Sequence, residues 1–276
     1  MLTRKPLVAL ALLLAGTAYA FDGTAQKAAE PVPQVHADSL AETRAALGAY
    51  RAGRKQEAAT IFALAAARGH VPAQWKLARM FATGDGVEAD PVRAAALYGK
   101  IARRFADRDP ALRLVPFVAD ATREAGRMQI EGQAGPRNVR VARRHLWRAA
   151  TTYRDAEARY LLGRSLLNPE HGRVQAEAAA AWLRSAVALG HAEAGIVFGE
   201  LQIAGLGTKS DPVAGLLAMA RAVERAGEGE RATLALRFQS ALAKSTEAAR
   251  VGAEAEIARL NLTVATAPVM EADAAN

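Results

Sequence analysis

No cysteine occurs anywhere in this chain. That excludes disulfide stapling, a lipid-modified N-terminal cysteine and any cysteine metal site. Aromatic residues are scarce at 5%, so helices must pack closely through small side chains. No segment alternates polar and apolar residues long enough to suggest a sheet. Beyond the N-terminus no run of about eighteen apolar residues occurs, so no membrane span is expected in the mature chain. Catalytic constellations are missing as well. There is no Gly-x-Ser-x-Gly, no His-Glu-x-x-His and no credible nucleophile–base pair, and the carboxylates are scattered without the pairing of a glycosidase. Neither a metal nor a cofactor is expected, and the chain reads as a binding protein and not an enzyme.

The first twenty residues have three parts. Arg4 and Lys5 form a positive start, Leu7 to Ala15 a short apolar core, and Ala18-Tyr19-Ala20 a small-x-small site. This is the pattern of a secretory signal peptide cleaved after Ala20, and it predicts a periplasmic protein. The formal charge of +8 with pI about 10.1 invites a nucleic-acid reading, but export argues against it. Cleavage removes Arg4 and Lys5 and leaves +6.

What is present is a spacing. Ala78, Gly126, Gly163 and Gly199 each stand sixteen positions ahead of a small partner, at Ala94, Ala142, Ala179 and Gly215. The first series steps by 48, 37 and 36, so one repeat carries an insertion, placed at Asp107 to Pro116. A period in this range marks a stack of helical hairpins. The expected fold is an all-α right-handed solenoid of about five hairpins over 39–228, closed by a capping helix pair over 229–262. Residues 21–38 read as a flexible leader and 263–276 as a disordered tail. Ser39 and Glu42 form a capping box for the first helix, Gly53 turns the first hairpin, and Ser245 reads as a cap between the last two helices.

Two loops match. Gly84-Asp85-Gly86-Val87-Glu88-Ala89-Asp90-Pro91 returns as Gly205-Leu206-Gly207-Thr208-Lys209-Ser210-Asp211-Pro212. The glycines permit positive φ after a helix, and each aspartate caps a helix that opens with proline. The second copy superficially resembles a phosphate loop, but it follows a helix and lacks a glycine before Lys209. A structural role is therefore the expectation.

Ala73-Gln74-Trp75-Lys76-Leu77-Ala78-Arg79-Met80-Phe81 through Val87, with Asp90, Ala94, Tyr98, Lys100 and Ala102, resembles a Sel1-like repeat, a relative of the tetratricopeptide repeat with a longer loop. Ala156–Gly163 with Trp182-Leu183, and Gly190-His191-Ala192-Glu193-Ala194, are similar. More narrowly, several features resemble the ExoR-type negative regulators of exopolysaccharide production. These are Phe21-Asp22, the tight hairpin Ala49-Tyr50-Arg51-Ala52-Gly53 with Glu57-Ala58, Gly69-His70, the insertion before Phe117-Val118, and Leu242 to Ala249. That resemblance implies a periplasmic protein whose partner is the sensor region of a membrane histidine kinase, which it holds off. It also implies release by acid-promoted proteolysis. The alternative is a generic periplasmic scaffold for envelope or polysaccharide-export assembly.

Aligning the units puts Arg79, Arg127, Arg164 and Glu200 at one position, with Trp75, Arg123, Tyr160 and Ile196 four residues earlier on the same helix face. The functional expectation is an electropositive groove with aromatic contacts that grips an acidic segment. The plainer reading packs Trp75 and Tyr160 between units and leaves the arginines solvated. Arg140, Arg144 and Arg148 form a second, outward basic stripe opposite Ala142, Leu146 and Ala149. His70 and His191 recur at one junction and read as structural. His171 sits in a loop with no second ligand at metal spacing.

Overall fold

A computed structural model describes residues 39–133 and 135–263. The signal peptide at 1–20, the leader at 21–38 and the tail from 264 onward lie outside the described residues. The twelve α-helices seen there all belong to one unit, residues 35–276. They pair as α1 (Ser39–Arg51) with α2 (Lys55–Ala67), α3 (Val71–Thr83) with α4 (Pro91–Arg104), and α5 (Val115–Glu131) with α6 (Val139–Thr152). Then follow α7 (Ala156–Leu167) with α8 (Ala176–Ala188) and α9 (Ala192–Ala204) with α10 (Pro212–Arg225). The pair α11 (Glu228–Lys244) and α12 (Glu247–Arg259) closes the end. The protein is an all-α solenoid of five hairpins with a C-terminal capping pair.

Local chemistry sets the boundaries. Asp90, Asn138, Asp155 and Asp211 each accept the backbone N–H three residues on, at 2.7–3.1 Å, satisfying donors that the first helical turn leaves free. Pro91 and Pro212 follow two of them at the first helical position. At the last junction the cap is Thr246, whose hydroxyl accepts from Ala249, while Ser245 donates back to Ala241 at the end of α11. The expected cap is therefore displaced by one residue. The insertion holds a 3-10 turn at Leu112–Leu114 that runs directly into α5, so the helix begins two residues before the predicted Phe117.

Apolar residues at helical spacing bury one stripe per helix, and each stripe meets the next unit. Ala46 and Phe62 pack with Leu77 and Met80; Tyr98 and Ile101 pack with Val118 and Met128. Leu146 meets Leu162 and Leu166, Leu183 meets Leu201, and Leu216 and Met219 meet Phe238. The core is thus one seam along the stack, with each unit covering its neighbour. On α12 the buried residues are only Ala249 and Ala253; its exposed side mixes Glu247, Glu254 and Arg259 with alanines and Val251.

The sixteen-residue spacing marks where the two helices of a hairpin cross. A Cβ on Gly199 would lie 2.5 Å from the Gly215 carbonyl oxygen and 2.5 Å from Met219 Cγ. Only glycine allows that approach. In the matching loops Gly207 has φ +70° and sits against the first residue of α8, where a Cβ would lie 2.2 Å from the Ala176 backbone. Gly86 meets Lys55, the first residue of α2, in the same way. Each loop therefore wedges against the preceding unit's second helix, and the structural reading of 205–210 holds.

Candidate functional site

First helices of consecutive units touch, α3 with α5, α5 with α7 and α9 with α11, while the second helices of the central units carry no comparable contact. The first helices form the inner row of the stack, and the predicted ladder lies on them. Trp75 packs edge-on to Phe117 of the next unit at 5.2 Å, and its Nε1–H donates to Asp120 at 2.6 Å. Arg79 lies over the Trp75 ring at 4.9 Å. Tyr160 is buried and stacked on His191 at 4.5 Å, and its hydroxyl accepts from Arg164 at 3.0 Å. Ile196 is fully buried. The aromatic members are therefore inter-unit packing, as the plainer reading held.

The arginines are not simply solvated, and the face is not simply positive. Arg123 reaches Asp120, Glu124 at 3.3 Å and Asp155 of the next unit at 3.0 Å. Burial opposes its charge, yet these three carboxylates outweigh burial and hold the guanidinium above its ordinary range. Arg127 pairs with Glu124 at 2.8 Å and Glu131 at 2.6 Å. Arg164 lies 3.9 Å from Glu193, and Arg237 of the capping pair grips Glu200 at 2.8 Å and reaches Glu193 at 3.7 Å. The electropositive groove becomes a row of alternating, largely neutralised charges. The five first helices carry eight basic and seven acidic residues.

Sequence reasoning missed these carboxylates and Arg237. Asp120 and Glu124 stand three residues before Arg123 and Arg127, a spacing that pairs charges on a helix and was visible. Arg237 lies 37 residues after Glu200, one unit length. Asp155 and Glu193 meet their partners only through stacking.

Two junction histidines are structural, as expected. His191 caps α9 by accepting the Ala194 N–H on Nδ1 at 3.1 Å, so Nε2 carries the proton donated to Glu157 at 2.8 Å. That bond, against burial, lowers the Glu157 pKa; its stabilisation is present above the ordinary carboxylate range and is lost as pH falls through the lowered value. His70 bonds Thr43 at 2.8 Å.

The outward stripe is corrected at one residue. Ala142, Leu146 and Ala149 are fully buried and Arg140 and Arg144 are exposed. Arg148 instead turns back and donates to the Phe105 and Ala106 carbonyls, closing the end of α4. His145 lies within this cluster, its pKa lowered by burial and then by Arg144, Arg103 and Arg148. The fold keeps it neutral where the unfolded chain protonates, so stability falls as pH drops from about 6.5 through the lowered value. Burial, Arg137 and Arg143 lower His171 in the same direction. His145→Gln should flatten the fall in thermal midpoint between about pH 7 and 5, followed by circular dichroism. An undiminished fall removes His145 from the account.

Between the third, fourth and fifth units the inner face opens into a cavity of about 410 Å³. Ile130, Leu146, Leu161 and Val197 supply apolar lining, and Arg127 and Arg164 stand at its wall. Arg79, Arg164 and Glu200, on the same row of helices, are exposed. Among the described residues no group of three His, Asp or Glu side chains is placed to hold a metal, and no helix is long and apolar enough to cross a membrane.

No protein-family model matches the chain. It is 31% identical over 243 residues, 87% of its length, to the exopolysaccharide production negative regulator of Rhizobium meliloti (strain 1021), covering 86% of that protein. It is likewise 31% identical over 224 residues to the protein of that name from Rhizobium leguminosarum bv. viciae, covering 79% of this chain and 78% of the relative. Among solved structures, a Sel1 repeat protein from Oxalobacter formigenes superposes with a TM-score of 0.61 at 18% identity, over 80% of this chain and 88% of that one. This last likeness concerns the fold alone. Stacked hairpins with a longer loop and identity along most of both chains place this protein in the family of exopolysaccharide production negative regulators, carried on a Sel1-repeat solenoid.

Proposed function

We propose that the chain is a non-enzymatic periplasmic negative regulator of exopolysaccharide production, which binds the sensor region of a membrane histidine kinase and holds the kinase off. The similarity along most of the chain to two relatives named for that negative role carries the reading. Arg4, Lys5, the apolar Leu7–Ala15 and Ala18-Tyr19-Ala20 support export. The sensor region lies along the inner face, where Arg79, Arg164 and Glu200 read its charges and the cavity beside Arg127 takes an apolar side chain. Trp75, Arg123 and Tyr160 hold the units that present those groups.

Inhibition follows from differential affinity alone. To move a switch from about 99% on to about 99% off, the regulator must bind the off state about ten-thousand-fold more tightly. Loss of the regulator by proteolysis then releases the kinase by mass action. The test is genetic. In a strain lacking the chain, the wild-type sequence restores low exopolysaccharide output, whereas Arg79→Glu with Arg164→Glu leaves output high at normal protein level. Full repression by that double variant rejects the inner face as the binding surface.

A further inference from the structure

The basic excess of this chain is segregated onto one side of the stack. The five second helices carry twelve basic and three acidic residues, against eight and seven on the first helices. The extreme is α4 with α6. Together they hold Arg93, Lys100, Arg103, Arg104, Arg140, Arg143, Arg144 and Arg148, with no acidic residue on either helix. Four of these are occupied locally. Arg93 pairs with Asp90, Arg104 donates to Gly69, Arg143 to Ser165 and Arg148 to the end of α4. Lys100, Arg103, Arg140 and Arg144 are exposed, and among the described residues no carboxylate pairs with them.

An apolar element accompanies the charge. Trp147 is 55% exposed, one helical turn from Arg144 and adjacent to Arg148. Leu112, in the insertion that follows α4, is 90% exposed. A buried position was open to neither charge nor tryptophan here, because the opposite side of α6 is filled by Ala142, Leu146 and Ala149. Of the acidic residues near in sequence, Asp90 caps α4 and pairs with Arg93, Asp155 caps α7 and pairs with Arg123, and Asp107 and Asp109 lie in that insertion.

We propose that the outer face of α4 and α6 docks on the surface of an anionic lipid bilayer, with Lys100, Arg103, Arg140 and Arg144 against the headgroups and Trp147 at the headgroup–acyl boundary. The chemistry is that of a peripheral contact. Guanidinium groups meet lipid phosphates, and an amphipathic indole sits where one edge is wet and the other apolar. The second helices form the outside of the stack, so they offer a plane of lipid headgroups an open approach. A peptide, by contrast, is better served by the inner row, where the cavity beside Arg127 lies. Attraction of this kind falls off within a Debye length and is screened by salt. The inference stands apart from the kinase reading. It concerns the opposite side of the stack and different residues.

The experiment uses the chain from Phe21 onward, which contains every described helix, and sedimentation with vesicles. With vesicles of phosphatidylglycerol and phosphatidylcholine at low salt the chain co-sediments, and with phosphatidylcholine alone it does not. Raising salt tenfold releases it. Arg140→Glu with Arg144→Glu weakens the partition at least tenfold, and Trp147→Ser weakens it several-fold. Arg79→Glu with Arg164→Glu leaves it unchanged, which separates this face from the inner one. Circular dichroism confirms that each variant is folded. Equal binding to neutral vesicles, or binding to anionic vesicles indifferent to the α6 substitutions, overturns the proposal. So does absence of vesicle binding, and if the same α6 substitutions then abolish capture of an acidic protein, the face belongs to a protein partner instead.

Discussion

Gly199→Ala is expected to lower the unfolding free energy by about 3 kcal/mol, whereas Gly48→Ala raises it by about 0.5–1 kcal/mol. Both glycines lie inside helices, α9 and α1, where alanine is normally favoured because glycine exposes backbone and gives up more chain entropy. Around Gly48 nothing lies within 4 Å of an added Cβ, so only that gain remains. At Gly199 the obstacle is the Gly215 carbonyl at 2.5 Å. A backbone oxygen cannot rotate away as a side chain can, so α9 and α10 must separate and loosen Leu216, Met219 and Phe238 with them. Chemical denaturation reads the opposite signs directly. Because a solenoid couples mainly neighbouring units, amide exchange should quicken in α9 to α12 before it changes in α1 and α2. A neutral Gly199→Ala would mean that the spacing does not mark a crossing point.

Arg123→Ala is expected to cost about 2–4 kcal/mol, more than removal of an ordinary surface charge. The Arg123 side chain is 21% exposed, and those of its partners Asp120, Glu124 and Asp155 are 24%, 17% and 13% exposed. Its loss leaves Asp120 and Asp155 without a counter-charge and Glu124 with Arg127 alone, where little water reaches. It also cuts the tie from α5 to the cap of α7, because Asp155 both accepts from Ala158 and pairs with Arg123. Arg123→Lys keeps the charge but not the planar fork that serves several oxygens at once, so an intermediate loss is expected. Thermal midpoints of the two variants settle the order. A stability equal to wild type in Arg123→Ala would return this residue to the solvated role.

The stack itself was legible because it is written in small residues and caps. The steps from Ala78 to Gly126, Gly163 and Gly199 located the second to fifth hairpins. The aspartates before Pro91 and Pro212 located helix starts, and the two matching loops located each other. Periodicity reports backbone packing, which depends on volume at fixed positions. It does not report where a long side chain ends. Arg148 lies on the predicted stripe, yet its guanidinium reaches carbonyls 42 and 43 residues earlier, since an arginine stem can lie along a surface and deliver its charge elsewhere. Likewise the ladder positions were correctly aligned, but their charge was not. Asp155 lies 32 residues from Arg123, and only the stacked units bring the two together. Ser245 was the expected cap, but its neighbour Thr246 directly precedes the first turn of α12 and caps it.

The central claim is that the inner face holds a sensor kinase. The direct measurement is capture from an envelope extract at neutral pH on the immobilised chain from Phe21 onward, compared with Arg79→Glu plus Arg164→Glu. Both positions are exposed and neither closes a helix end, so the double variant should keep its fold. The account predicts enrichment of a sensor histidine kinase by the wild type and its loss with the double reversal. Enrichment of polysaccharide-export or wall-assembly proteins without a kinase, or a kinase captured equally by both forms, contradicts it.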